Sequence, residues 1–206
     1  AMRLLKVSGA RPDRTIRVMH WTGEEQGLLG ARAWVRANES AWPNISMVLN
    51  DDGGTNSQGG VPATAEMVPM LAAASAPVNN IFTDAVSGRP LRFNVRTVER
   101  LPRGASSDHA AFISVGIPGF FTDEVGRSDY GFGWHTQHDK FNLAIPEYLK
   151  QSATNAAVMM YRMASAPTLL PREPRREEPA EGQGSGEGRP AATAPASPAP
   201  ARPAGN

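Results

Sequence analysis

Apolar positions in this chain fall into short runs separated by turn residues, and the runs differ in period. Thr15 to Trp21 (TIRVMHW) is almost continuously apolar and predicts a strand covered on both faces. Leu28 to Asn38 carries apolar residues at helical spacing and predicts a helix. Ser46 to Asn50 (SMVLN) predicts a second strand, so these segments read as a βαβ unit. Glu66 to Ser75 predicts a helix that Pro69 kinks or shortens. Leu91 to Val98 alternates and predicts a strand, Ser107 to Val115 a helix and Gly119 to Thr122 a strand. Pro146 to Ala164 predicts a long helix with proline in its first turn. Alternating strands and helices imply an α/β fold: a largely parallel sheet with helices on both faces.

The pattern stops at Pro167. The remainder, rich in Pro, Ala, Gly and Glu, holds few large apolar residues. Such a composition cannot bury enough surface to offset chain entropy. Residues 1–166 are therefore expected to form the folded body and 167–206 a disordered tail. Removal of Arg172 to Asn206 is expected to leave stability unchanged.

Composition narrows the function without fixing it. The chain has 206 residues, a net charge of +1 and 40% apolar residues, enough for one core of moderate size. A charge near zero, with no basic helix or aromatic-basic patch, gives no push toward nucleic acid. No apolar run reaches the length of a membrane span. Without cysteine there is no disulfide and no thiol chemistry.

The candidate chemistry sits where predicted strands end. Thr15 to Trp21 runs into Gly23, Glu24 and Glu25 at the mouth of a helix. Ligands of open α/β sheets bind at the carboxyl ends of strands. One carboxylate turned to a metal and one to a water are parts of a hydrolytic metal site. The same glutamates also suit a solvated first helical turn, favoured by the helix dipole. Ser46 to Asn50 likewise ends in Asp51 and Asp52 before Gly53 and Gly54, which is also ordinary turn chemistry. Trp134-His135-Thr136 follows an aromatic, glycine-rich loop that starts at Tyr130. Carboxylates and an imidazole make an oxygen and nitrogen donor set suited to zinc or a similar divalent metal.

These motifs, in this order, resemble the family-28 zinc exopeptidases (clan MH), the bacterial aminopeptidase and glutamate carboxypeptidase type. The segments are WTGEEQGLLGARAWV, the DDGGT run with Asp52, SSDHAAFISVGIPG (Ser106 to Gly119), and Trp134-His135-Thr136 with Asp139. The resemblance runs from about Ile16 to Ala164. It implies Glu24 as general base, Glu25 and His135 as ligands of one metal, and Asp52 as ligand of another, with two zinc ions per complete site. Ser107, Asp108, Trp134 and Asp139 would line the substrate site or support the ligands. Ser107 or Asp108 also suits a helix cap, and Asp139 would orient His135 or close its loop.

The resemblance also implies a further His and a bridging Asp before the glutamate pair. Neither Asp13 nor His20 matches those positions, so the chain reads as the C-terminal part of a catalytic domain and is expected to be inactive alone. Trp134 stands where many relatives place Tyr. The implied function is a zinc-dependent exopeptidase, aminopeptidase-like, acting on peptides or dipeptides. A carboxypeptidase or dipeptidase of the same family, or an inactive remnant that binds a partner, are the alternatives. A periplasmic or secreted location is expected from the family, although no signal peptide is visible. His20 is expected in a core or interface, and His109 in a structural or pocket-wall role. The arginines at 89, 92, 96, 100 and 103 are expected on a solvated strand face.

Overall fold

A computed structural model describes residues 1–102 and 107–173. Arg103, Ser106 and the tail from residue 174 onward lie outside the described residues. The chain starts with α1 (Met2–Val7), then α2 (Leu29–Ala37), a 3₁₀ turn at Glu39–Asn44 and β1 (Val48–Asn50). β2 (Ser57–Ala63), α3 (Val68–Ser75) and β3 (Asn94–Thr97) follow. The last elements are α4 (His109–Ile113), β4 (Gly119–Phe121), β5 (Asp123–Val125), α5 (Tyr130–Gly133) and α6 (Pro146–Ala164). Among the described residues no helix is long and apolar enough to cross a membrane.

The α/β class expected from the sequence is present. β1 pairs with β4 in parallel, Leu49 opposite Phe120. In a second sheet β2 lies between β3, parallel, and β5, antiparallel. Successive side chains of a strand point to opposite faces. Leu49 thus packs on a core that holds Leu71, Phe120, Met159 and Met163. Val48 packs on another, built from Ala31, Val35, Phe112 and Ile117. Helices α3 and α6 supply the first core and α2 and α4 the second, which places helices on both faces of β1.

Several expectations need correction. Thr15 to Trp21 joins no strand ladder, and its residues are exposed or half-buried. Its apolar run has no described neighbour to supply backbone partners, so the βαβ unit is not closed. β1 pairs instead with β4, which follows it by about seventy positions. Pro69 neither kinks nor shortens a helix already running. It occupies the first turn of α3, where its missing N–H costs nothing.

β2 is not marked by any apolar pattern. SQGGVPA has two glycines and a proline, residues depleted in strands, yet every residue of it is buried. Gly60 is required by close approach: a Cβ there would lie 1.9 Å from the carbonyl oxygen of Asn94 on β3. The β2–β5 register shifts between Gln58 and Gly60, leaving Gly59 without a ladder partner. Gln58 pairs with Glu124 on β5, but β3 runs beside β2 only from Gly60 onward. Helix α6 serves the Gln58 backbone where β3 does not reach. Gln151 accepts from the Gln58 N–H at 3.0 Å and donates to its carbonyl at 2.9 Å. Asn155 donates to the Gln58 side chain at 2.7 Å. A buried backbone amide left unpaired would cost roughly 1–3 kcal/mol, which explains polar residues on the inner face of α6.

Packing continues beyond Ala166, so the body does not end there. Leu170 is 1% exposed within the first core. Its N–H donates to Ser46 Oγ, and the Arg172 guanidinium donates to the carbonyls of Trp42, Pro43 and Ile45. Glu173 accepts from the Leu101 N–H at 2.7 Å. Pairing at 167–173 comes from one leucine and two charged residues, too few to register in a composition average. At the other end, Arg14 donates to the Ala166 carbonyl at 2.6 Å and so caps the negative end of α6.

Candidate active site

The glutamate pair lies in a tight turn ahead of α2. Gly27 and Leu28 donate their N–H groups to the Glu24 carbonyl, and Leu28 takes a left-handed backbone, φ 60°, that starts the helix. Glu24 is half-buried and Glu25 exposed. Glu25 Oε1 lies 2.6 Å from His135 Nε2. His135 is itself held in a left-handed conformation, φ 57°, uncommon for a residue other than glycine. The turn around it is well bonded. Trp134 N–H donates to Tyr130, Thr136 N–H to Gly133, and the Thr136 hydroxyl to Phe132 and Gly133.

Asp52 extends from the end of β1. Ser107, fully buried, donates its hydroxyl to Asp52 Oδ2 at 2.5 Å, and Asn50 donates to Ser107 at 2.7 Å. Ser107 is therefore spent on Asp52, and neither it nor Asp108 caps α4 by a side-chain bond. Asp51 turns the other way and accepts from Gln58 at 2.8 Å, which links this loop to α6.

Charge gathers around Glu24. Burial pushes its carboxyl above the usual range, and the negative charges of Asp52, Glu25 and Asp108 push the same way, against the pull of His135. Burial, followed by Asp52, also raises Asp108. Such shifts cluster at functional sites. They bring Glu24, Glu25, Asp52, Asp108 and His135 into one neighbourhood although they come from four separate segments.

Other predicted positions divide. Trp134 stacks on His135 with ring centroids 4.3 Å apart and on Tyr130 at 6.0 Å. Asp139 makes no hydrogen bond to His135; its N–H donates to the Thr136 carbonyl, so it closes the loop. His138 stacks on Phe132. His109 is buried beside Phe121, and burial pulls its pKa down to about 4, which suits a neutral pocket wall. His20 is exposed rather than buried, because its segment lies outside any sheet. Arg92, Arg96 and Arg100 are solvated, with Arg96 paired to Asp123 at 2.9 Å.

Two residues escaped the sequence reading. Tyr130 sits among the carboxylates: burial, then Asp52, Glu124, Glu25 and Asp139, raise its hydroxyl pKa. Glu124 accepts from the Asn56 N–H at 3.0 Å, and burial with Asp51 nearby pushes it up to about 7. Neither stands in a motif; only the fold of β5 and α5 brings them here.

The donors fit a zinc-type cation in kind: an imidazole and a carboxylate already in contact, with a second carboxylate near them. Among the described residues no three such groups converge on one point.

The profile of Peptidase family M28 matches residues 1–160. The chain belongs to that peptidase family. Carboxypeptidase Q of Homo sapiens is 29% identical over 173 residues, which are 84% of this chain and 34% of the relative. Carboxypeptidase Q of Mus musculus is 30% identical over the same shares. The chain thus spans about a third of the length of these curated relatives. Among solved structures, an aminopeptidase from Aneurinibacillus sp. strain AM-1 matches with a TM-score of 0.46 and 21% identity, over 76% of this chain and 36% of that one.

Proposed function

We propose that this chain carries part of the catalytic centre of a zinc-dependent exopeptidase that hydrolyses terminal peptide bonds of peptides or dipeptides. The observation that supports it most is the Glu25–His135 contact at 2.6 Å, beside a crowd of carboxylates around Glu24. Like charges packed this closely favour a bound cation. Glu25 and His135 would hold one zinc ion and Asp52 a second. Bound zinc would supply an acidified water and polarise the scissile carbonyl.

The chain's own residues supply the rest. Glu24 makes no side-chain hydrogen bond among the described residues. Its carboxyl, raised by burial and by its neighbours, is suited to take a proton and to pass it to the leaving amine. Ser107 fixes the face that Asp52 presents. Trp134 backs the His135 ring and keeps bulk water from one side of it.

The described residues supply Glu25, Asp52 and His135, without the further His and bridging Asp that the resemblance implies. The 206-residue chain by itself is therefore expected to load zinc weakly and turn over slowly. A carboxypeptidase action is the second reading, favoured by the names of the curated relatives. The test titrates zinc against hydrolysis of aminoacyl-nitroanilides, dipeptides and peptides blocked at both ends, using an N-terminally extended form of the protein beside the 206-residue chain. The reading expects zinc-dependent cleavage confined to unblocked ends. Cleavage of blocked peptides, or cleavage that chelators leave intact, would contradict it.

A further inference from the structure

We propose that Asn56 is a positioning residue of this metal centre, locking the loop that carries Asp52 to the loop that leads to His135; this rests on the zinc reading above. The two loops are distant in sequence and meet at one buried amide. Asn56 is 6% exposed. Its Nδ2 donates to the Ser128 carbonyl at 3.0 Å, and its Oδ1 accepts from the Ser128 N–H at 3.0 Å. The side chain thus satisfies both backbone groups of one residue, as a strand neighbour would. Thr55 Oγ1 and Ser128 Oγ add a bond of 2.7 Å alongside.

Each side of this clamp runs on to a donor through short, bonded chain. On the Asp52 side, the Asn56 N–H donates to Glu124, whose carboxyl lies over the backbone of Gly53. A Cβ on Gly53 would lie 2.3 Å from Glu124 Cγ, so Gly53 allows a close approach that any side chain would prevent. Asp52 is the next residue and is fixed from its other side by Ser107. On the His135 side, Ser128 precedes Asp129, whose carboxylate accepts from the Phe132 N–H at 3.1 Å and starts α5. The Trp134 and Thr136 bonds then carry that turn directly to His135. A shift at Ser128 therefore moves the imidazole relative to Asp52. Partners behind metal ligands commonly change affinity by roughly 10- to 100-fold when removed.

The fold provides its own control. Asn79 forms the same reciprocal pair with the backbone of Phe93, accepting at 2.7 Å and donating at 3.1 Å, but joins no loop of the site. The experiment measures zinc affinity of the 206-residue chain by competition with a chromophoric chelator. Melting temperatures are recorded for the parent, Asn56→Ala, Asn79→Ala and Thr55→Val. Asn56→Ala is expected to weaken zinc binding by about tenfold or more. Asn79→Ala should lose comparable thermal stability while changing zinc affinity by less than about twofold. Thr55→Val, which removes one flanking bond and conserves volume, should weaken zinc in the same direction by a few-fold; it decides the matter if Asn56→Ala does not fold. Equal zinc affinity in Asn56→Ala and the parent, or in Thr55→Val and the parent where Asn56→Ala does not fold, overturns the assignment alone. Equal losses in Asn56→Ala and Asn79→Ala do the same. A parent chain that binds no zinc overturns the metal reading and this assignment with it.

Discussion

Glu25 and His135 touch through Oε1 and Nε2 at 2.6 Å although 110 positions separate them. Both side chains are more than half exposed, so little packing forces the contact. Zinc shared between them would replace the hydrogen bond with two coordinate bonds. Added zinc is therefore expected to shift the ring nitrogen signals of His135 in an NMR titration, ahead of those of His20 and His109. Unmoved His135 signals at saturating zinc would place the ion elsewhere.

Acid stability should depend on Asp84. The Tyr148 hydroxyl, the Ser87 N–H and the Arg127 guanidinium hold its carboxyl well below the usual range. With the folded pKa depressed, this contribution is complete above the unfolded value of about 3.9 and is lost as pH falls through the folded one. Urea midpoints of the parent should fall steeply below about pH 4. Asp84→Asn should be less stable at neutral pH and show a flatter acid limb; an unchanged acid limb would remove Asp84 from the account.

Glu124 should act in the opposite sense. Its folded pKa, pushed up to about 7 by burial and then by Asp51, exceeds the unfolded value of about 4.3. The folded chain then binds the extra proton, so stability declines as pH rises from about 4.3 through 7. Glu124→Gln should lose that slope. Urea midpoints at pH 5 and pH 8 decide it, and parallel curves for parent and variant would contradict it.

The segment just past α6 should matter for folding. Leu170 lies in the core at 1% exposure, so Leu170→Ala is expected to cost about 2–4 kcal/mol. Arg172→Ala would strip one donor from three carbonyls and lower the melting temperature further. Melting curves indistinguishable from the parent would return the boundary to Ala166.

Much of this was legible in the chain. The helix from Pro146 to Ala164 was plain because proline starts it and its period persists for five turns. The strands at 48–50 and 119–121 showed as apolar runs between turn residues. β2 was not legible, because its glycines serve contact with β3 and β5 rather than a turn. Thr15 to Trp21 misled for the converse reason: its pattern suits a strand, but a ladder needs a neighbour that sequence pattern cannot supply. At the site, Glu24, Glu25, Asp52 and His135 stood out through motif order. Asn56, Glu124 and Tyr130 did not, since their roles come from contacts between distant loops.

The division of labour between the adjacent glutamates is the central claim, and one comparison tests it. Zinc affinity and zinc-dependent hydrolysis are measured in an active, N-terminally extended form of the protein and in its Glu24→Gln and Glu25→Gln variants. Glu24→Gln should keep zinc affinity within about threefold while hydrolysis falls by roughly two or more orders of magnitude. Glu25→Gln should lose zinc affinity by about tenfold or more, because it removes a direct donor. Zinc lost from Glu24→Gln and retained by Glu25→Gln would contradict the account.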